Sequence, residues 1–201
     1  WKAHFTLLKV GRRLVVRPPW MAYTPADGEL VITLDPGMAF GTGHHPTTRL
    51  CLELLEELVK PGAAVLDLGT GSGILAIAAV KLGAGSVVAL DVDLLAVRGA
   101  RQGLRANDIG RGVRVARGTL PHPLAPEGAM DLAVANISSK VVKDSAAHLR
   151  RVLKPGGLVI SSGYLAEQAS EVEDALKGAG LAPVYRRTQE GWAATVSERR
   201  R

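Results

Sequence analysis

Nine consecutive residues, Val65-Leu66-Asp67-Leu68-Gly69-Thr70-Gly71-Ser72-Gly73, narrow the possible folds of this chain more than any other stretch. An apolar run passes into three glycines at alternate positions, and Ile74-Leu75-Ala76 then begins a helical pattern. A buried strand that feeds a glycine turn at a helix start belongs in an α/β layer structure, with the turn at the carboxyl edge of a parallel sheet. Gly69, Gly71 and Gly73 let the backbone turn tightly and approach a bound molecule, while the helix N-terminus offers amide donors to an anionic group. The turn marks a ligand site, with tight packing alone as the plainer alternative.

The remaining sequence supports that layer structure. Strands are predicted at 64–68, 86–91, 113–116, 130–135 and 158–162, and helices at 73–82, 94–107, 138–153 and 167–178. The runs 182–187 and 192–197 are close enough to pair as an antiparallel hairpin. Ahead of this core, residues 4–17 read as a small hairpin around Val10-Gly11-Arg12, 30–34 as a short strand, and 46–59 as a helix with Pro46 in its first turn. Repeated strand–helix units with short links imply a mostly parallel sheet covered by helices on both faces and ending in the hairpin. With 201 residues, 4% of them aromatic and 23 of them glycine, the chain suits one α/β domain packed by Val, Leu, Ala and Ile.

Composition removes several function classes. A single cysteine, Cys51, excludes an intrachain disulfide framework and a cysteine-based zinc site, and it suits a reducing cytoplasm. No apolar run approaches the ~20 residues of a membrane span, and Trp1-Lys2-Ala3-His4 has no signal-peptide layout, so a cytoplasmic location without membrane contact is expected. His44-His45 is not expected to bind metal, because adjacent side chains rarely converge and no further ligand cluster is visible. The net charge of +6 favours an acidic or RNA-rich surrounding for the partner. However, its clusters at Arg12-Arg13, Arg186-Arg187 and 199–201 read as solvated surface, and no direct nucleic-acid contact is expected.

Two cofactor classes compete for the glycine turn. A dinucleotide fingerprint places its third glycine three residues after the second, whereas Gly73 follows Gly71 by two and Asp67 precedes the first glycine. Asp91, 22 residues after Gly69, ends the second strand where a carboxylate can accept both hydroxyls of a ribose, and Asp93 is placed to cap the next helix. The strand from Asp131 ends at Asn136, whose amide can orient an amine nucleophile but has no useful basicity. Before the core, 35–48 (Asp-Pro-Gly-Met-Ala-Phe-Gly-Thr-Gly-His-His-Pro-Thr-Thr) is more elaborate than a connection requires. Within it, Phe40 can supply an apolar face, Gly41 and Gly43 close approach, and Thr48 a hydroxyl.

The Asp67-x-Gly69-x-Gly71-x-Gly73 turn resembles the first motif of class I methyltransferases, a Rossmann-like fold. The 35–48 stretch resembles the hallmark of the ribosomal protein L11 methyltransferase family, which also carries the glycine turn, the Asp91 strand end and an Asn-Ile pair matching Asn136-Ile137, in that order. The resemblance runs from about Trp20 to the last strand and implies methyl transfer from S-adenosylmethionine to lysine side-chain and N-terminal amines of ribosomal protein L11, releasing S-adenosylhomocysteine. It implies that Thr48, Asp67, Gly69, Thr70, Gly71, Gly73, Asp91 and Asn136 bind the cofactor. Asn136 would also position the amine, and Phe40, Gly41, Thr42 and Gly43 would close over the methyl donor. In two places the chain departs from the pattern: His44 stands where the family often has Thr, and Gly118-Thr119-Leu120 lacks the acidic residue that many methyltransferases use near adenine. The resemblance further implies that 1–19 are a linker and leading strands from an N-terminal substrate-recognition domain absent from this chain, and that 20–201 are the catalytic domain, expected as a monomer. An RNA methyltransferase and a nicotinamide-dependent oxidoreductase are the competing readings. The first lacks an Asn-Pro-Pro-aromatic motif, since Asn136-Ile137-Ser138 stands in its place, and the second lacks the glycine spacing.

Overall fold

The computed structural model describes residues 5–37 and 42–200. Strand β1 (Leu8–Val10), β2 (Leu14–Arg17) and β3 (Leu30–Thr33) form a small sheet in the order β1-β2-β3. Helix α1 (Pro46–Leu58) leads to the main alternation: β4 (Ala64–Leu68), α2 (Ile74–Lys81), β5 (Ser86–Asp91), α3 (Leu94–Ala106), β6 (Val113–Arg117), β7 (Met130–Asn136), α4 (Ser139–Val152) and β8 (Leu153–Leu165). A single 3-10 turn at Ala166–Gln168 opens α5 (Ala169–Gly178), followed by β9 (Leu181–Gln189) and β10 (Trp192–Arg199). The large sheet runs β6-β5-β4-β7-β8-β10-β9. All of its strands are parallel except β10, which pairs antiparallel with both β8 and β9, so the predicted parallel sheet and terminal hairpin are both present.

Strand alternation divides the core in two. On β4 and β7, Val65, Leu132 and Val134 join the cluster that includes α1, α2 and the small sheet, while Leu66, Leu68, Ala133 and Ala135 join the one built on α4 and α5. Sheet residues are therefore apolar on both faces, as a helix-covered parallel sheet requires. Helix α2 is buried from Ile74 to Ala79 because it lies between the large sheet, α1 and β3. Helix starts follow local capping chemistry: Asp93 accepts from the Leu95 N–H at 2.9 Å, as its sequence position predicts, and Ser138 accepts from the Val141 N–H.

Two features differ from the sequence reading. Strand β8 runs well beyond 158–162, because Lys154-Pro155-Gly156-Gly157, which reads as a turn, is absorbed as a register irregularity between β7 and β8. The hairpin expected within 4–17 is present as β1 and β2, and it also gains β3, a pairing the sequence does not indicate. β2 runs parallel to β3, so the small sheet straddles the expected division after Pro19, and Val10, Leu14 and Val16 share a core cluster with α1 and α2. Among the described residues, no helix is long and apolar enough to cross a membrane.

Candidate functional site

The carboxyl edges of β4, β5 and β7 converge at the glycine turn. After Leu68 the chain bends through Gly69 at φ +76°, and the Gly69 and Thr70 N–H groups both donate to the Leu90 carbonyl at the end of β5. A Cβ on Gly69 would lie 2.3 Å from Cγ2 of Ile137, so the turn and the end of β7 can approach this closely only with glycine here. Gly73 has a different job. It caps α2, and the side chain it lacks would strike the Ala100 backbone at 3.0 Å, which makes it a helix-packing position outside the cavity lining.

Beneath the turn, Asp67 is 1% exposed and its Oδ2 accepts the Thr70 hydroxyl at 2.7 Å. Burial lifts its carboxyl to about 7, and Thr70's hydrogen bond only partly opposes that rise. Asp67 holds the turn from below. Asp91 is half-buried beside it: Oδ2 accepts the Gly71 N–H and Oδ1 the Asp93 N–H, each at 2.9 Å. These two bonds fix the carboxylate plane at the end of β5, next to the turn.

On the other side, Thr48 in the first turn of α1 is 3% exposed and accepts a hydrogen bond from Asn136 Nδ2 at 3.3 Å. Asn136 Oδ1 is buried and has no partner among the described residues. A cavity of about 500 Å³ opens here. Thr48, Gly69, Thr70, Gly71 and Asn136 line it together, although they are drawn from α1, the turn and β7. Asp91 stands behind Gly71 instead of in the lining.

His45 and Ile137, which fall within the motif stretches, also line this cavity, as do Gly163 and Trp192, which the sequence alone does not single out. The His45 ring caps α1 through Nδ1, 3.3 Å from the Thr47 backbone nitrogen, and meets the Trp192 ring edge-on with centroids 4.6 Å apart. Gly163 lies so close to Ile137 that a Cβ would fall 2.1 Å from the Ile137 carbonyl oxygen. Of the loop expected over the methyl donor, Phe40 and Gly41 lie outside the described residues. Gly43 is buried against Ile74 and Leu8, and Thr42 borders a separate small cleft with Val16 and Leu34. Among the described residues, no group of three His, Cys, Asp or Glu side chains is placed to hold a metal ion.

Similarity to known proteins agrees with this geometry. The profile of the family described as ribosomal protein L11 methyltransferase (PrmA) matches residues 1–200. The chain is 46% identical to a ribosomal protein L11 methyltransferase of Chloroflexus aurantiacus, covering 99% of this chain and 67% of that protein. It is 50% identical to one of Symbiobacterium thermophilum, covering 98% and 64%. The chain thus spans about two thirds of the length of the curated relatives it matches. A crystal structure of the ribosomal protein L11 methylase of Lactobacillus delbrueckii subsp. bulgaricus superposes with a TM-score of 0.89 at 34% identity, covering 98% of this chain and all of the other. A methyltransferase structure from Aquifex aeolicus, at 21% identity and a TM-score of 0.65, covers 76% of this chain and 93% of its own and shares the Rossmann-like fold. Ordered motifs, cavity and similarity over nearly the whole of this chain lead to one conclusion: the chain belongs to the ribosomal protein L11 methyltransferase family.

Proposed function

We propose that this chain is the catalytic domain of an S-adenosylmethionine-dependent protein methyltransferase that modifies lysine side-chain and N-terminal amines of ribosomal protein L11. The observation that carries the reading is the Asn136 carbonyl oxygen, buried and unpartnered at the wall of a cavity formed by Thr48 and the Gly69–Gly71 turn. A buried acceptor without a donor costs free energy unless a ligand completes it, and an amine N–H is the donor that methyl transfer brings.

The residues present suit the cofactor. Each Asp91 oxygen uses one lone pair on a backbone N–H and keeps another for a ribose hydroxyl. The Gly69–Gly71 turn presents bare backbone to the cavity, where the methionine portion would lie against it. Bound there, S-adenosylmethionine supplies an electrophilic sulfonium methyl group, and transfer to an amine leaves S-adenosylhomocysteine.

The protein's part is positioning. Thr48 accepts from Asn136 Nδ2 and so fixes the amide beside the cavity, where Oδ1 is assigned to accept an N–H of the incoming amine and aim the nitrogen lone pair. Asn136 does not take the proton, because an amide has no useful basicity. The amine must arrive neutral, and free α-amino groups near pKa 8 and lysines near about 10.4 lose their proton to water before attack. Ile137 and Trp192 give the cavity apolar walls that exclude competing water. Thr42 and Gly43, together with Phe40 and Gly41, are assigned to the segment that closes over the methyl donor. We assign the chain to the cytoplasm and expect it to act as a monomer.

The test is methyl transfer itself. Purified chain, ribosomal protein L11 and S-adenosylmethionine are mixed, and intact mass is followed for stepwise methyl additions, with Asn136→Ala alongside. Additions by the parent that increase with pH, and a loss of rate in the variant with cofactor binding retained, support the assignment. Cofactor binding without methylation of L11 would overturn the substrate assignment.

A further inference from the structure

Residues 94–117 hold six arginines and a single acid, Asp108, so most of the chain's net charge of +6 sits in one stretch. It comprises α3 and β6, the edge strand of the large sheet. Arg98, Arg101 and Arg105 recur at helical spacing on the exposed face of α3, and Arg111, Arg114 and Arg117 are exposed along the adjoining edge. Arg101 donates to the Val115 carbonyl and Arg117 to the Val92 carbonyl, which ties the helix face to the strand and makes the arginines one surface. Arg114, on the opposite face of β6, carries the charge round the edge.

The contrast with the rest of the surface is what gives this face meaning. In the clusters that stand out in the sequence, Arg12 pairs with Glu56, Arg186 with Glu173 and Arg187 with Glu57, while Arg13 and Arg199 donate to backbone carbonyls. Lys140, Lys143 and Lys154 also have carboxylate partners. Among the described residues, none of the six arginines of α3 and β6 forms an ion pair, and Asp108 acts on Lys81. An unneutralised cationic strip stores self-repulsion that a polyanion relieves. The strip is built only of arginine, although the chain also uses lysine elsewhere, and the planar guanidinium fork matches phosphate oxygens two at a time. Along α3, Arg98 to Arg105 spans roughly 10 Å, about the axial reach of three phosphates on one duplex strand.

Contrary to the sequence expectation of no direct nucleic-acid contact, we propose that the α3–β6 edge is a docking surface for the phosphate backbone of RNA, bound without regard to sequence. The choice of RNA rests on the reading of this chain as an enzyme acting on a ribosomal protein. The surface itself does not, because it lies outside the cavity lining. It reaches the site at one point only, where Arg117 pairs in register with Asp91, so bound RNA runs beside the cavity and leaves its mouth open.

The experiment is fluorescence anisotropy of a labelled mixed-sequence RNA duplex titrated with the full chain at about 50 and about 200 mM salt. The proposal expects binding that weakens at least tenfold across that range. Arg98→Gln/Arg101→Gln/Arg105→Gln should cut low-salt affinity about tenfold and lower the log–log salt slope by about 1 for each phosphate no longer neutralised. Arg111→Gln/Arg114→Gln/Arg117→Gln, on the strand side, should do the same, which guards against a helix that simply fails to fold. A charge-matched control at ion-paired positions, Lys9→Gln/Arg12→Gln/Lys140→Gln, should stay within about twofold of the parent. Failure of the parent to bind RNA, or equal weakening by the control, overturns the proposal. Binding to phosphatidylglycerol vesicles or polyglutamate in preference to RNA also overturns it. S-adenosylmethionine binding by the same variants, expected unchanged, separates failure here from failure of the cofactor reading.

Discussion

Replacing Asp67 by Asn should make the protein more stable relative to the parent as pH rises, by an amount the structure sets. Asp67 is 1% exposed, and burial raises its carboxyl from 3.8 to about 7. Ionising it in the folded protein therefore costs more than in the unfolded chain. The sign follows from proton binding. Between these two pKa values the folded state holds a proton that the unfolded state has lost, so the contribution is fully present below about 4 and disappears as pH rises through 7. About three pKa units correspond to roughly 4 kcal/mol in all, of which about 2–3 kcal/mol falls between pH 5 and pH 8. Asn keeps an acceptor for the Thr70 hydroxyl and removes the titration. Urea unfolding of both proteins, followed by circular dichroism at several pH values, gives the difference in stability directly. Groups that titrate identically in both proteins cancel in that difference. It should grow in favour of Asn by about 2–3 kcal/mol from pH 5 to pH 8. A difference independent of pH would mean that the buried carboxylate's charge is compensated in the folded protein and would refute the reasoning.

Three further outcomes can be checked. Gly69→Ala places a side chain at φ +76° and 2.3 Å from Ile137, so it should cost at least about 1–2 kcal/mol from the backbone alone and abolish cofactor binding. Unchanged urea unfolding would contradict the packing described. Asn107→Ala removes an acceptor for the Thr33 N–H and a donor to the Thr33 and Gly103 carbonyls, the side-chain bridge between the free edge of β3 and the end of α3. A loss of about 2–3 kcal/mol is expected in the same assay, and a loss under about 0.5 kcal/mol would show that the bridge contributes little. Thr48→Val removes the hydroxyl that orients Asn136 while keeping its shape, so methylation should slow with little change in melting temperature. A rate equal to the parent's would remove Thr48 from the positioning scheme.

Much of this architecture is legible in the sequence because its signals are local. The strand–glycine–helix run at 65–74, the cap at Asp93 and the first-turn Pro46 each depend on neighbours within a few residues. The glycine turn and Asn136 can be placed together because strands of a parallel sheet end at a common edge, whereas Thr48, in the first turn of α1, is joined to them only by the family resemblance. Gly163 and Trp192 carry no comparable local mark. Trp192 reaches the cavity only through the antiparallel pairing of β10 with β8, and Gly163 only through the parallel pairing of β8 with β7. A glycine one residue past a predicted strand is the available signal for Gly163, and the Pro155-Gly156-Gly157 irregularity hides the full length of β8. The small sheet is only partly visible, since three short strands give no cue that β2 and β3 run parallel. Charge in the sequence is legible only locally: paired arginines such as Arg186-Arg187 draw the eye, whereas the strip on α3 and β6 emerges only when helix spacing and strand edge are combined.

The most direct test of the central claim is calorimetric titration of the parent and of Asp91→Ala with S-adenosylmethionine and, separately, with a nicotinamide dinucleotide. The account predicts one-site binding of S-adenosylmethionine by the parent, at least tenfold weaker binding by the variant, and no heat from the dinucleotide. Dinucleotide binding without S-adenosylmethionine binding would contradict it.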